Sequence, residues 1–191
     1  MGRSFSRREL LVMSLVAALS IFTKPYVRLP FAFVQTTLGM PVGVFVGGLY
    51  MFWPILMGRL IPKPGSVLIT CVLQSVLALV TGFTGLLGPA AVVSYWTPGL
   101  VIEALYLIQR RAWPTAARSS FVLMAAGALG NLAGALTNAL LFFALRRQAA
   151  AVAAVASLLS GAGGGYLASL AGSRLVHSTH ATSHETAKQA S

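Results

Sequence analysis

Long apolar runs, separated by short polar or Gly/Pro-rich stretches, dominate the chain. Six runs meet or approach the roughly 20 apolar residues that a helix needs to cross a bilayer. They cover residues 9–26, 38–60, 66–81, 89–108, 118–145 and 149–172. The runs are continuous, whereas the strands of a membrane β-barrel alternate apolar and polar residues with a period of two. The pattern therefore predicts an all-α, polytopic membrane protein built as a bundle of about six transmembrane helices.

The segments between the runs predict how the bundle is connected. Two prolines in Pro62-Lys63-Pro64-Gly65 favour a tight reversal between the second and third spans. Residues 28–39 are apolar but too short to cross, so we expect an outer loop or a re-entrant segment. From residue 173 the composition changes to Ser, Thr, His, Ala and Lys. We expect residues 1–172 to form the transmembrane domain and residues 173–191 a disordered cytoplasmic tail.

Composition and charge support this reading. Hydrophobic residues make up 57% of the chain and charged residues 9%, against roughly 25% charged residues in soluble domains. Ten of the fourteen basic residues fall on one side of the predicted membrane and four on the other, which predicts that both termini are cytoplasmic. The four are Lys24, Arg28, Arg146 and Arg147. Because Lys24 lies inside the first span, its side chain is expected to extend towards the lipid headgroups. The net charge of +11 does not indicate nucleic-acid binding, because no basic face is interleaved with aromatics.

Residues for catalysis or cofactor binding do not form a recognisable set. Cys71 is the single cysteine and lies inside an apolar run. His177, His180 and His184 all fall in the polar tail, where a solvated tail is favoured over a metal site. No Gly-rich phosphate-binding loop with a lysine is present. The sequence therefore predicts a protein that is not an enzyme, needs no cofactor or metal, and takes any energy from a partner or a gradient.

Glu103 is the one acidic residue well inside a predicted span, where a charge costs at least about 2.5 kcal/mol on insertion scales. Glu103 shares one helical face with Trp96, Gly99 and Tyr106, because successive residues of this set are three or four positions apart. A carboxylate beside aromatic rings suits a small heteroaromatic or cationic ligand. Glu103, Trp96 and Tyr106 are therefore candidate substrate-binding residues. The alternative is a structural carboxylate bonded to a neighbouring helix or to Arg110.

Carboxamide side chains mark two other spans. Asn131 and Asn138 share a face of the fifth span, and Gln74 lies in the third. Amides inside hydrocarbon must find hydrogen-bond partners, so these faces are expected to point into the bundle. The three residues are candidates for a polar substrate pocket if they converge with Glu103, and otherwise they join helices to one another.

Small residues at four-residue spacing form stripes on several predicted helices. Such stripes let helix backbones approach closely. Most are expected to pack within the chain, as Gly161 and Gly165 would do in the sixth span. The stripe of Ser14 and Ala18 in the first span is also a candidate docking surface for a partner subunit.

Taken together, the chain resembles the substrate-binding (S) component of an energy-coupling factor (ECF) transporter. The resemblance rests on six short spans in about 190 residues, a small-residue first helix and an apolar outer loop after it. Within that family it is most similar to the hydroxymethylpyrimidine/thiamine branch, through Lys63-Pro64-Gly65, Ile69-Thr70, the Gly-rich outer loop, and Gly99 with Glu103. The third span differs from that branch, carrying Cys71, Gln74 and Ala78 where acidic residues are usual.

The resemblance implies a function and partners. An S component captures a vitamin or vitamin precursor from outside a bacterial cell membrane. Uptake is then powered by two ATPase subunits through a transmembrane coupling subunit, which Ser14 and Ala18 would contact. The segment 28–39 would act as a lid over substrate held between spans four to six. The alternatives are a structural or assembly membrane protein without a ligand and, less favoured, a lipid-modifying enzyme.

Overall fold

The described part of the chain is entirely helical. The computed structural model describes residues 4–29, 37, 43–112, 119–141 and 147–189. Its helices are α1 (Arg7–Arg28), α2 (Gly43–Leu60), α3 (Ser66–Thr81), α4 (Ala91–Ala112), α5 (Ser120–Leu141) and α6 (Arg147–Gln189), with a 3₁₀ turn at Gly85–Ala90 before α4. No β-strand occurs in these ranges, which confirms the predicted all-α class. The predicted lid falls mostly at residues outside the described ranges.

Five of these helices are long and apolar enough to cross a membrane. The exception is α3, whose 16 residues span about 24 Å at 1.5 Å per residue, less than the roughly 30 Å hydrocarbon core. Its length is set by Gly65 and Gly82, which flank it with φ of 89° and 72°. Such backbone conformations favour glycine and interrupt a helix. The protein is thus a multi-pass membrane protein, with one of the six predicted spans shorter than the rest.

The reversal between α2 and α3 lies where the sequence predicts it. Residues 61–65 connect the helices, and the Lys63 ammonium makes a 2.7 Å ion pair with Glu9 at the start of α1. Glu9 also completes a capping box, since it accepts from the backbone amide of Ser6 while the Ser6 hydroxyl accepts from that of Glu9. This paired arrangement satisfies two amides that begin the helix without intrahelical partners. We call the end of the bundle that carries Glu9 and Lys63 the turn end.

Helix α6 packs mainly against α5 and α2, while α4 lies between α3 and α5, and α1 packs on α3 and α2. The closest approaches occur at glycines. A side chain at Gly164 would collide with the backbone of Gly48, and one at Gly161 with the backbone of Gly127. The small-residue stripe of the sixth predicted span therefore packs within the chain, as expected for close membrane helices.

The last helix is longer than the sequence suggests. Its backbone is helical to Gln189, whereas we expected disorder from residue 173. No glycine or proline follows Gly172, so nothing in the local sequence ends the helix. The division of the chain into a membrane domain and a separate tail stays a prediction, as does the cytoplasmic location of both termini.

Candidate functional site

A cavity of about 620 Å³ opens between the helices at the end of the bundle opposite the turn end. Its size is within the range typical of small-molecule sites. The described lining residues come from five helices and the segment after α3. They are Ser20, Lys24, Pro25, Leu29, Gly43, Val44, Tyr50, Met51, Pro54, Cys71, Gln74, Gly82, Phe83, Thr84, Ala91, Ser94, Tyr95, Pro98, Asn131, Gly134, Ala135 and Asn138.

The three carboxamides singled out from the sequence all lie on this cavity. The Asn131 amide nitrogen donates to the Ser157 carbonyl on α6 at 2.9 Å. The Asn138 side-chain oxygen accepts from the Ser94 hydroxyl on α4 at 2.6 Å. Both asparagines thus join two helices and also line the cavity, while their role in substrate binding stays a prediction.

Gln74 differs from the asparagines because its amide nitrogen lacks a partner. The residue is 5% exposed, and its Nε2 makes no hydrogen bond to any residue that the structure describes. Buried polar groups are nearly always paired, since leaving one unpaired costs about 1–3 kcal/mol. Gln74 thus combines a place on the cavity wall with an amide nitrogen that is buried and unpaired among the described residues.

A lysine is held between two tyrosines on the same cavity. The Lys24 ammonium lies 3.7 Å from the ring centroid of Tyr95 and 5.0 Å from that of Tyr50. Both distances are within the reach of a cation–π interaction. The expected snorkelling of Lys24 to the headgroups was therefore wrong: its side chain turns inward because α4 and α2 offer it aromatic faces.

Glu103 does not belong to this cavity. Its carboxylate accepts hydrogen bonds from the backbone amides of Gly65 at 2.8 Å and Val67 at 3.1 Å. These amides open α3, where unpaired N–H groups and the helix dipole favour a negative charge. The structure thus places Glu103 at the turn end, apart from Asn131, and supports the structural alternative for this carboxylate.

The other two predicted residues of α4 also lie outside the cavity lining. The indole nitrogen of Trp96 donates to the Ser75 hydroxyl at 3.1 Å, and the buried Tyr106 hydroxyl reaches the Ile55 carbonyl at 3.5 Å. Gly99 packs against Cys71. The face shared by these residues and Glu103 therefore packs against α3 and α2. The helical spacing correctly grouped these residues on one face of α4, but it did not show that this face packs against α3 and α2.

The proposed docking residues lie on the outer face of α1. Ser14 is exposed and Ala18 is partly exposed, and nearby Leu11 and Leu15 are 69% and 61% exposed. This face is free to contact lipid or another membrane protein. Docking of a partner here stays a prediction.

Within the described ranges, no three His, Cys, Asp or Glu side chains lie close enough to hold a metal ion. Cys71 is buried on the cavity wall. The polar atoms available on the cavity are amides, hydroxyls and one ammonium, which are suited to hydrogen bonding.

Sequence reasoning missed six polar residues of the described cavity lining, namely Ser20, Lys24, Tyr50, Thr84, Ser94 and Tyr95. A signal for Lys24 was present, because an ionisable residue within a span is a functional candidate by default. No signal identified the tyrosines, since their role depends on how α2 and α4 pack around α1.

Comparisons with known proteins agree with this architecture. Residues 8–133 match the protein family described as "ABC-type cobalt transport system, permease component". A solved structure titled "Crystal structure of an S-component of ECF transporter" superposes with a TM-score of 0.77 at 19% sequence identity. The superposition covers 98% of this chain and 99% of that one, so the two share a fold. No curated protein matches the sequence.

Proposed function

Because the chain belongs to the family of ABC-type cobalt transport system permease components, we propose that it is the substrate-binding (S) component of an ECF-type importer. The family consists of transporter components, so the chain is not an enzyme, as the sequence predicts. We propose that it resides in a bacterial cell membrane and captures its substrate in the cavity between α1 and α5.

The unpaired Gln74 amide nitrogen carries this proposal. The cavity is large enough for a vitamin-sized molecule, and Gln74 lies on its wall with a buried amide nitrogen that has no hydrogen-bond partner among the described residues. A ligand acceptor at this position would supply the missing hydrogen bond. A purely structural amide would instead be expected to bond to a neighbouring helix.

The chemistry of the lining supports a pyrimidine-type vitamin precursor, in line with the hydroxymethylpyrimidine/thiamine resemblance of the sequence. A carboxamide presents one donor and one acceptor side by side, which complements the ring nitrogen and amino group of an aminopyrimidine. Gln74 is the amide available for such a pair. Tyr95 offers an aromatic face at the same cavity.

A bare cobalt ion, suggested by the name of the family, fits this cavity less well. Divalent transition metals are held by imidazole, thiolate or carboxylate groups. The described lining offers Cys71 as its one such side chain, beside the positive Lys24. We therefore propose an organic substrate.

Uptake depends on partners, because the sequence has no phosphate-binding loop of its own. We propose that a transmembrane coupling subunit docks on α1 near Ser14 and Ala18, and that two ATPase subunits supply the energy. The purified chain in liposomes is then expected to bind substrate without concentrating it. Accumulation of hydroxymethylpyrimidine by the chain alone, with no ion gradient, would contradict this partnership.

Gln74→Leu tests the site. We expect the affinity for hydroxymethylpyrimidine, measured by calorimetry on the purified protein, to fall at least about tenfold, which corresponds to about 1.4 kcal/mol. The thermal midpoint of the ligand-free protein should not fall, since the substitution removes an unpaired donor. Thr70→Val is a matched control one turn away, because Thr70 is buried outside the cavity lining and bonds only to Ser66 on its own helix.

A structural or assembly role is the second candidate. Three observations favour it: the side chains of Glu103, Asn131 and Asn138 each bond to another helix. Mass spectrometry of small molecules that co-purify with the protein separates the candidates. A bound vitamin or precursor supports the S component, whereas an empty cavity together with no binding of hydroxymethylpyrimidine by the wild type favours the structural role.

A further inference from the structure

Lys24 gives the cavity a positive charge that no carboxylate on its wall compensates. Its ammonium contacts the rings of Tyr95 and Tyr50, and the described lining contains neither Asp nor Glu. A tyrosine face stabilises a cation through its quadrupole and carries no formal charge. The two rings therefore hold Lys24 in place without cancelling its charge.

Two of the acidic residues of the chain are bonded elsewhere. The whole sequence has three. Glu103 binds the backbone at the start of α3, and Glu9 pairs with Lys63, both at the turn end. The third, Glu185, belongs to the last turns of α6. Nothing among the described residues brings a negative charge to the cavity.

We propose that Lys24, held by Tyr95 and Tyr50, is the specificity-determining residue that admits neutral or anionic substrates to the cavity and rejects cationic ones. This inference rests on the proposed S-component function. A cationic ligand a few ångströms from the ammonium meets like-charge repulsion, which a partly buried site screens poorly. It also competes with Lys24 for the same two aromatic faces.

The aromatic pair makes the selectivity reversible by one substitution. Without the lysine, the ring faces of Tyr95 and Tyr50 lose this cation, and aromatic faces of this kind recognise quaternary nitrogen in other proteins. Lys24→Gln therefore removes the repulsion and leaves an attraction in its place. A residue that merely filled space would show no dependence on ligand charge.

Two related ligands isolate the effect of charge. Hydroxymethylpyrimidine is neutral, and thiamine carries a similar pyrimidine joined to a cationic thiazolium ring. Calorimetry on the full-length protein in detergent should show the wild type preferring the neutral ligand. In Lys24→Gln we expect thiamine affinity to rise at least about tenfold, with a smaller change for the neutral ligand. Lys24→Arg keeps the charge and should keep the rejection of thiamine.

A second variant guards against misfolding. Lys24→Met also removes the charge. The thermal unfolding midpoints of Lys24→Met and Lys24→Gln show whether each variant is still folded. If the wild type binds hydroxymethylpyrimidine but thiamine affinity is equal in the wild type, Lys24→Arg, Lys24→Gln and Lys24→Met, the inference is overturned while the proposed function stands. If none of these proteins binds either ligand, the proposed function itself fails.

Discussion

The carboxylate of Glu103 accepts a 2.8 Å hydrogen bond from the backbone amide of Gly65, which ties the middle of α4 to the first residue before α3. Gly65 has a φ of 89°, a conformation that glycine adopts without strain. The same carboxylate also accepts from the amide of Val67. One buried charge thus fixes the geometry of the α2–α3 reversal at the end of the bundle remote from the cavity.

Glu103→Gln should therefore destabilise the protein without changing ligand affinity. The neutral amide loses charge-assisted hydrogen bonds and turns a donor group towards backbone donors, so we expect a loss of about 1.5–3 kcal/mol in unfolding free energy. Thermal unfolding in detergent and calorimetry with hydroxymethylpyrimidine measure the two quantities. Glu9→Gln is the control, since its ion pair with Lys63 is partly exposed and should matter less. A tenfold loss of affinity in Glu103→Gln with an unchanged thermal midpoint would restore Glu103 as a ligand-binding residue.

Two neighbouring glycines of α6 should respond in opposite ways to the same change. Gly164→Ala places a methyl group against the backbone of Gly48, whereas Gly163→Ala points into open space. We expect Gly164→Ala to cost about 1–3 kcal/mol by forcing α2 and α6 apart. Gly163→Ala should be neutral or slightly stabilising, because alanine favours the helix over glycine. Equal thermal midpoints for the two variants would contradict the close packing of α2 and α6.

The topology is tested by labelling single cysteines introduced on a Cys71→Ala background. Phe83 and Ser119 are both exposed and belong to opposite ends of the bundle. The distribution of basic residues predicts that a membrane-impermeant maleimide reaches Phe83→Cys in intact cells and Ser119→Cys only after permeabilisation. The reverse pattern would place both termini outside.

Docking on α1 predicts that a larger side chain in the small-residue stripe weakens assembly. Ala18→Leu should reduce the amount of coupling subunit and ATPases that co-purify with the chain, because it separates closely packed helices. Ala104→Leu is the control, since Ala104 is an exposed small residue on α4. Equal recovery of partners with the two variants would exclude this face as the docking surface, and thermal midpoints verify that both proteins are folded.

The helical class, the α2–α3 reversal and the inward orientation of Gln74, Asn131 and Asn138 could be predicted from sequence. Each depends on local information, namely hydrophobic run length, proline and glycine chemistry, and the need of amides in hydrocarbon for partners. The S-component resemblance is confirmed at the level of fold by the solved relative. Its pyrimidine branch stays a prediction.

The assignments of Glu103 and Lys24 could not be made correctly, because each depends on which helices become neighbours. Helical periodicity groups Glu103 with Trp96 and Tyr106, but it does not reveal that this face packs against α3 and α2. Lys24 lies near the end of an apolar run, where snorkelling is the usual expectation. Only the packing of α2 and α4 around α1 provides the tyrosines that turn its side chain inward.

The bond between Glu103 and the start of α3 also bears on how the chain enters the bilayer during synthesis. The ribosome delivers residues in order, so the amides of Gly65 and Val67 emerge before the carboxylate that they bind. When the carboxylate of Glu103 emerges, the two backbone amides that will bind it have already been made. The insertion cost of an isolated acidic helix need not be met in full. The helix too short to span the core with ease, α3, is thus the one whose first amides meet the buried charge of its successor.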